Sequence, residues 1–155
     1  MKIFRLVLLF LLFYNVAWSQ KEDTIDLPTL HPIRFGYVLK NDIERRGLNG
    51  CPSPGLTIYS NTLLNDSVFS LSEGIVIYVG NIDDEYMCVI KRNDGKSFAY
   101  SGLESAVIRK GDKIKKQQYL GEMTQAEDVK QLRLVIMNGT NEINKKDYWS
   151  VLLRK

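Results

Sequence analysis

Short runs of apolar residues, separated by polar or glycine-containing turns, make up most of residues 55–139. They are rich in β-branched and aromatic side chains, which is typical of strands. The runs cover residues 56–60, 68–71, 74–80, 86–91, 96–100, 119–123 and 132–137. No segment carries a long helical period, so the pattern predicts an all-β fold, an antiparallel sandwich or barrel.

Two turn signals connect these predicted strands. Asn93-Asp94-Gly95 predicts a tight hairpin between residues 86–91 and 96–100. Within residues 107–121 (VIRKGDKIKKQQYLG), Gly111 supplies a tight turn, and Ile114 and Leu120 are predicted to face the core. The lysines of this stretch are predicted to face water; they are Lys113, Lys115 and Lys116. Residues 147–153 predict a short apolar closure, with a helical turn that packs against the barrel.

The N-terminal residues 1–19 have the pattern of a signal peptide. Lys2 and Arg5 precede an unbroken apolar run over residues 6–14, and residues 17–19 (AWS) place cleavage before Gln20. The run is short for the ~20 residues of a membrane span, which favours cleavage over an uncleaved anchor. The sequence therefore predicts an exported protein, periplasmic or extracellular, with no membrane span after cleavage. We expect residues 20–50 to form a lead-in segment that starts as a flexible stretch, and residues 51–155 to form one β domain.

Charge and cysteine content change this picture only slightly. Loss of Lys2 and Arg5 with the signal lowers the formal net charge from +3 to +1, which gives no argument for a nucleic-acid partner. Cys51 and Cys88 are an even pair, and an oxidising compartment would allow a disulfide between them. Because Cys88 lies in an apolar strand, a buried free thiol is the alternative, and the sequence leaves both open.

Several pieces of the β region match, in order, the motifs of one known family. Gly55-Leu56-Thr57-Ile58 is similar to "G-(I/L/V)-D-(I/L)", and residues 68–76 (VFSLSEGIV) are similar to "V-x-A-x-x-x-G-x-V". Tyr100-Ser101-Gly102-Leu103 is similar to "Y-x-H-L", and residues 107–121 to "V-x-x-G-x-x-V-x-x-G-Q-x-I-G". The segment therefore resembles the lysostaphin-like (LytM-type) peptidoglycan endopeptidases. The resemblance implies a duplicated hybrid motif, a β-sandwich of antiparallel strands.

The resemblance also implies a zinc site, which this sequence does not reproduce. In the family the ligands are the His and Asp of "H-x-G-x-D" and the second His of "H-x-H", and two more histidines serve catalysis. The matching positions here are Ser53, Thr57, Gly102, Gln131 and Arg133. Hydroxyl groups are poor zinc ligands, a permanently cationic guanidinium repels a metal ion, and glycine has no side chain. The one histidine, His31, lies outside the matching segment. We therefore predict no zinc, no cofactor and no catalysis at these positions.

Other interpretations of single features remain weaker. Asp83, Asp84 and Glu85 lack the spacing of a known calcium loop, and a solvated acidic turn explains them better. Ser53, Ser101 and Cys88 have no histidine beside them in sequence and no nucleophile-elbow pattern. The stretch around residues 111–118 also occurs in biotinyl- and lipoyl-carrier domains, where Lys96 would be the nearest modifiable lysine, but export argues against that chemistry. Five aromatic positions on or near strands favour packing over sugar stacking; they are Tyr78, Tyr86, Phe98, Tyr100 and Tyr119.

Three hypotheses about function follow. The first is an inactive peptidase-like domain that binds peptidoglycan or regulates a cell-wall hydrolase, with Arg133 and Gln131 holding a carboxylate or a peptide carbonyl. An ion pair of Arg133 with a nearby acid such as Glu122 is its structural alternative. The second hypothesis is an active zinc endopeptidase with a remodelled site. The third is an exported β domain that serves only structure or partner binding.

Overall fold

The computed structural model describes residues 24–27, 32–33, 36–39, 54–60, 67–82, 84–126 and 129–152. Within them the chain forms twelve strands and one short helix, and all strand pairs are antiparallel. The elements are β1 (Thr24–Asp26), β2 (Gly36–Leu39), β3 (Leu56–Ser60), β4 (Ser67–Phe69), β5 (Gly74–Ile82), β6 (Glu85–Lys91), β7 (Lys96–Ala106), β8 (Lys113–Ile114), β9 (Tyr119–Met123), β10 (Gln125–Ala126), β11 (Val129–Asn138), β12 (Asn141–Glu142) and α1 (Lys145–Leu152). The predicted antiparallel all-β fold is thereby confirmed.

One main sheet organises the molecule, with strand order β1-β2-β3-β11-β7-β6-β5-β8. The hairpin predicted at Asn93-Asp94-Gly95 joins β6 to β7, and the pairing continues from Lys91 opposite Ser97 as far as Tyr86 opposite Leu103. Strand β11 lies between β3 and β7 and pairs with both. The three central strands β3, β11 and β7 therefore bring together positions that lie far apart in the sequence.

Alternation along these strands separates an inner, buried face from an outer face. Leu132, Leu134 and Ile136 of β11 are fully buried, whereas the residues between them are exposed or half-buried. Strands β3, β6 and β7 follow the same period of two, as expected for a sheet with one face on the core. We call the face opposite the core the outer face.

A smaller layer of strands covers part of the inner face. Strand β9 pairs with β4 and with the second half of β7, so the long strand β7 belongs to both layers. Val68, Leu120 and Met123 from this layer are buried against the inner face of the main sheet. Ile114 is also buried, and Lys113, Lys115 and Lys116 are exposed, so the predicted orientation of residues 113–120 is confirmed.

The described parts of the lead-in segment are ordered strands and core residues rather than a flexible stretch. Strand β1 pairs with β2, and β2 pairs with β3, so both extend the main sheet. Leu27, Ile33 and Val38 are buried in the core. The free energy gained by burying these apolar side chains offsets the entropy lost when the segment is ordered. The polar residues around them give no indication of this burial in the sequence. The signal-peptide residues 1–19 lie outside the described residues, and the boundary at residue 51 stays a prediction.

Cys88 is a free, fully buried thiol on the inner face of β6. The disulfide with Cys51, which the sequence left open, is therefore not formed at Cys88 in this structure, and Cys51 itself lies outside the described residues. Cys88 faces the core and lies directly opposite Tyr100 on β7, and this position explains why its thiol is buried. Burial raises the pKa of the Cys88 thiol to about 12.

Candidate functional site on the outer face of the sheet

A row of side chains crosses the outer face where β3, β11 and β7 lie side by side. Arg133 is directly opposite Thr57 on β3 and directly opposite Ser101 on β7. Met87 of β6 continues the row beyond Ser101. Directly opposed residues of antiparallel strands have Cβ atoms about 4.5–5.5 Å apart and project to the same face. Thr57, Arg133 and Ser101 therefore form one contiguous patch.

A second row lies beside the first, one pleat along the strands. Gln131 is two residues before Arg133 on β11 and is directly opposite Tyr59, which is itself opposite Tyr37 on β2. The rings of Tyr37 and Tyr59 stack with centroids 5.4 Å apart and an interplanar angle of 24°. The two rows together form a shallow surface with a cationic and amide centre and an aromatic wall on one side.

Gly102 lies at the edge of this surface, where β7 turns from the main sheet into the smaller layer. It is the extra residue of a β-bulge, because Met87 pairs with Ser101 and Tyr86 pairs with Leu103. Its φ of +85° is in the region that favours glycine, and a Cβ built there would lie 2.9 Å from the Gln131 carbonyl oxygen. A side chain at this position would therefore press on the strand that carries Gln131 and Arg133.

The structure thus brings four of the five predicted positions to one region. Thr57, Gln131 and Arg133 share the outer face, and the backbone of Gly102 abuts Gln131. Ser53 lies outside the described residues. Among the predicted aromatic positions, Phe98 and Tyr100 are core residues, whereas Tyr78 and Tyr86 are exposed at 37% and 39%.

Arg133 supplies the one formal charge in these two rows. Its side chain is exposed and makes no hydrogen bond or ion pair with the residues that the structure describes. The pair with Glu122 considered above is not formed, since Glu122 instead faces the Tyr119 hydroxyl at 3.4 Å. The neighbouring positions in the two rows are uncharged, so none of them neutralises the guanidinium; they are Thr57, Ser101, Met87, Gln131 and Tyr59.

These residues do not fit a zinc ion. Zinc sites use imidazole, thiolate or carboxylate ligands, and this surface offers a hydroxyl, an amide and a guanidinium. Within the described ranges, no three His, Cys, Asp or Glu side chains come close enough to hold a metal. Arg133 instead adds a fixed positive charge, which repels a metal ion.

A second structural feature holds the strand that carries Thr57. The Gly55 N–H donates to Glu142 Oε1 at 2.8 Å, and the Tyr148 hydroxyl donates to the same oxygen at 2.8 Å. The Ile136 N–H in turn donates to the Tyr148 hydroxyl at 2.8 Å. We call Gly55, Ile136, Glu142 and Tyr148 the carboxylate clasp; it connects the residue before β3 with β11, β12 and α1.

The sequence did not identify the tyrosine stack or the clasp. Tyr37 lies in the segment expected to be a lead-in, and its partner Tyr59 was visible only as part of a strand. Alternation offered one usable signal, because Tyr59 is two residues after Thr57 and must share its face. The clasp had no local signal, since Gly55 and Glu142 are 87 positions apart.

The described strands form an antiparallel main sheet with a small second layer, and β3, β11 and β7 carry the cross-strand surface. The family model that describes peptidase family M23 matches residues 52–145, more than half of the chain. The chain therefore belongs to peptidase family M23.

Solved structures agree with this assignment at the level of the fold. One similar structure is a protein from Ruminococcus gnavus that is assigned as a glycyl-glycine endopeptidase LytM. It superposes with a TM-score of 0.61 at 23% identity, over 83% of this chain and 61% of that one. A chain of the SpoIIQ–SpoIIIAH pore-forming complex gives a TM-score of 0.56 at 18% identity, over 70% and 75%. A zinc-containing peptidase from Vibrio cholerae gives 0.53 at 20% identity, over 65% of this chain.

The chain spans 32% of the Vibrio cholerae peptidase, so that protein carries much more than the shared fold. A search of curated proteins gives no match. In the described residues, no helix has the length and hydrophobicity that a membrane crossing requires.

Proposed function

We propose that this chain is an exported, non-catalytic member of peptidase family M23 that binds peptidoglycan through a carboxylate of its peptide. The observation that carries the proposal is the exposed guanidinium of Arg133, which is set directly between Thr57 and Ser101 and is unpaired among the residues that the structure describes. A guanidinium presents a planar fork of donors that matches a carboxylate in a bidentate geometry. The group that replaces a family metal ligand thereby gives the surface a preference for anions.

The neighbours of Arg133 suit a peptide ligand. Gln131 carries an amide that donates and accepts, and the hydroxyls of Thr57 and Ser101 do the same on either side. The stacked rings of Tyr37 and Tyr59 add an apolar wall beyond Gln131. A carboxylate with adjacent peptide groups would find a partner for each of its polar atoms here.

Binding of a partner protein, such as a cell-wall hydrolase, is the second candidate. It is favoured by the likeness to a chain of the SpoIIQ–SpoIIIAH complex, in which two different proteins assemble. An active zinc endopeptidase is the remaining alternative, and it conflicts with the hydroxyl, amide and guanidinium groups that stand at the matched positions.

Sedimentation with purified, insoluble peptidoglycan tests the proposal. The mature chain, Arg133→Ala and Arg133→Lys are compared, with Lys146→Ala as the control because Lys146 is also an exposed cation but lies on α1. We expect the mature chain and Lys146→Ala to bind, Arg133→Ala to lose at least about tenfold in affinity, and Arg133→Lys to retain part of it. Binding no stronger than that of an unrelated protein, or full binding by Arg133→Ala, would overturn the proposal.

Two further measurements separate the alternatives. Retention of about one equivalent of zinc after refolding with the metal, together with cleavage of peptidoglycan, would establish the enzyme instead. Capture of one specific wall hydrolase by the mature chain and by Arg133→Ala alike, without peptidoglycan binding, would establish the partner-binding function.

A further inference from the structure

Among the described strands, nothing pairs with one edge of the main sheet along most of its length. Strand β5 pairs with β6 from Ile75 to Ile82, but its other edge meets β8 only at Gly74 and Ile75. Two backbone hydrogen bonds at Val76, with Asp112 and Gly111, complete that contact. From Ile77 to Ile82, none of the described strands pairs with this edge. We call residues 77–82 (IYVGNI) the free edge.

The free edge lacks the features that keep sheet edges from pairing. It contains no charged residue and no proline, whereas natural edge strands are commonly guarded by lysine, proline or inward-pointing charges. Its apolar side chains are unusually exposed: Ile77 at 40%, Tyr78 at 37% and Ile82 at 45%. A bulge at Ile77 marks only the beginning of the segment. Such an edge is a ready template for an added strand.

Charges at the two ends of the free edge indicate which strand is added. Beyond Ile82 lies the turn with Asp84, which is exposed, and Glu85, which is half-buried. Beyond Ile77, on the same edge, lies the turn that leads into β8, with the exposed cations Arg109, Lys110 and Lys113. The one described acid in that turn, Asp112, is occupied by the Arg109 N–H at 2.8 Å. One end of the edge is therefore acidic, and the other end is net basic, with three exposed cations against the acids Asp112 and Glu73.

We propose that the free edge pairs with the free edge of a second copy of this chain, antiparallel and about a two-fold axis. This arrangement places Ile82 opposite Ile77 of the second copy, so that the acidic turn of each copy meets the basic turn of the other. A two-fold interface forms every contact twice, and the charge complementarity is therefore satisfied at both ends. The assembly continues the main sheet through both copies and leaves Arg133, three strands away, outside the contact.

Sedimentation equilibrium of the mature chain from about 1 to 300 μM tests this pairing. We expect a reversible dimer, and Ile82→Lys should weaken the dimer at least about tenfold by placing a lysine on the edge. Val129→Lys is the matched control, because Val129 is equally exposed at 43% but lies on β11. Circular dichroism confirms that each variant is folded.

A charge exchange tests the orientation. Lys113→Glu should weaken the dimer several-fold, and Lys113→Glu combined with Glu85→Lys should restore it. A wild-type protein that stays monomeric across the concentration range overturns the proposal. So does a dimer that Ile82→Lys leaves intact, or a double charge variant that is no tighter than Lys113→Glu alone.

Discussion

The carboxylate of Glu142 accepts the backbone N–H of Gly55 at 2.8 Å, across 87 positions of sequence. Gly55 is two residues before Thr57, so this hydrogen bond holds the beginning of the strand that forms one side of the candidate site. The same oxygen accepts the Tyr148 hydroxyl of α1. One carboxylate therefore couples the C-terminal helix to the outer-face surface around Arg133.

Removal of this carboxylate should destabilise the whole domain. Glu142→Ala leaves the Gly55 N–H and the Tyr148 hydroxyl without their acceptor, and hydrogen bonds to a charged group contribute about 1.5–3 kcal/mol. We expect the free energy of unfolding to fall by about 2–3 kcal/mol, measured by urea denaturation. Glu122→Ala is the control, since its one described contact is a 3.4 Å hydrogen bond at the surface, and it should cost less than about 0.5 kcal/mol. Equal costs for the two variants would contradict the role of the clasp.

Gly102 should tolerate a side chain less well than a glycine with the same backbone conformation. Gly102 and Gly95 both have positive φ, at +85° and +87°, but a Cβ on Gly95 meets nothing within 4 Å. Gly95→Ala should therefore cost about 1 kcal/mol for backbone conformation alone. Gly102→Ala also presses on the Gln131 carbonyl oxygen and should cost at least about 1 kcal/mol more in denaturation. A difference near zero would show that the bulge adjusts freely.

The strands and the core face were predictable because alternation is a local signal. Residues 56–60 and 119–123 were predicted with the bounds that β3 and β9 have in the structure. The ordered strand β2 was not predictable, because it depends on what packs against it from distant parts of the chain. For the same reason the sequence could not choose between a disulfide and a buried free thiol at Cys88. The polar composition of residues 20–30 suggested a flexible stretch, yet β1 pairs with β2 there and Leu27 is buried in a core that only the folded sheet creates.

The candidate site was predictable only in part from the sequence. Motif matching placed Thr57, Gln131 and Arg133 in order along the chain, and antiparallel pairing of β3 with β11 puts them on one surface. The aromatic wall of Tyr37 and Tyr59 lay beyond the reach of the motif, since no family position corresponds to it. The sequence therefore predicted the polar residues of the surface but not the tyrosine stack beside them.

The stack of Tyr37 on Tyr59 should connect β2 energetically to the rest of the sheet. Aromatic pairs contribute about 0.5–1.5 kcal/mol beyond the area that they bury. A double-mutant cycle with Tyr37→Leu and Tyr59→Leu, measured by urea denaturation, should give a coupling energy in that range. Phe69 and Tyr119, tilted at 60° with centroids 5.9 Å apart, supply a second aromatic pair for comparison. A coupling energy within error of zero would mean that β2 packs without the stack.

Cys88 should make the stability of the domain decrease in alkaline solution. Burial raises the pKa of its thiol from 9.0 to about 12, so the folded state disfavours the thiolate that the unfolded chain forms freely. The protonated Cys88 thiol contributes fully to the free energy of unfolding below about pH 9. This contribution is lost as the pH rises toward 12, because the unfolded state then releases a proton that the folded state retains. Between pH 8 and pH 10.5 this loss amounts to about 2 kcal/mol.

Urea denaturation from pH 7 to pH 10.5 measures this loss as a difference between two proteins. Both carry Cys51→Ser to prevent thiol oxidation, and one also carries Cys88→Ala. Burial also raises the pKa values of Tyr100 and Tyr148. The Tyr148 contribution cancels in the difference, and the Tyr100 contribution changes only slightly, because the charge of Cys88 is a smaller cause of its raised pKa than burial. We expect the difference in the free energy of unfolding between the two proteins to be constant up to about pH 8.5. At pH 10.5 this difference should be smaller by about 2 kcal/mol. A gap that stays constant over the whole range would show that Cys88 ionises equally in the folded and unfolded states.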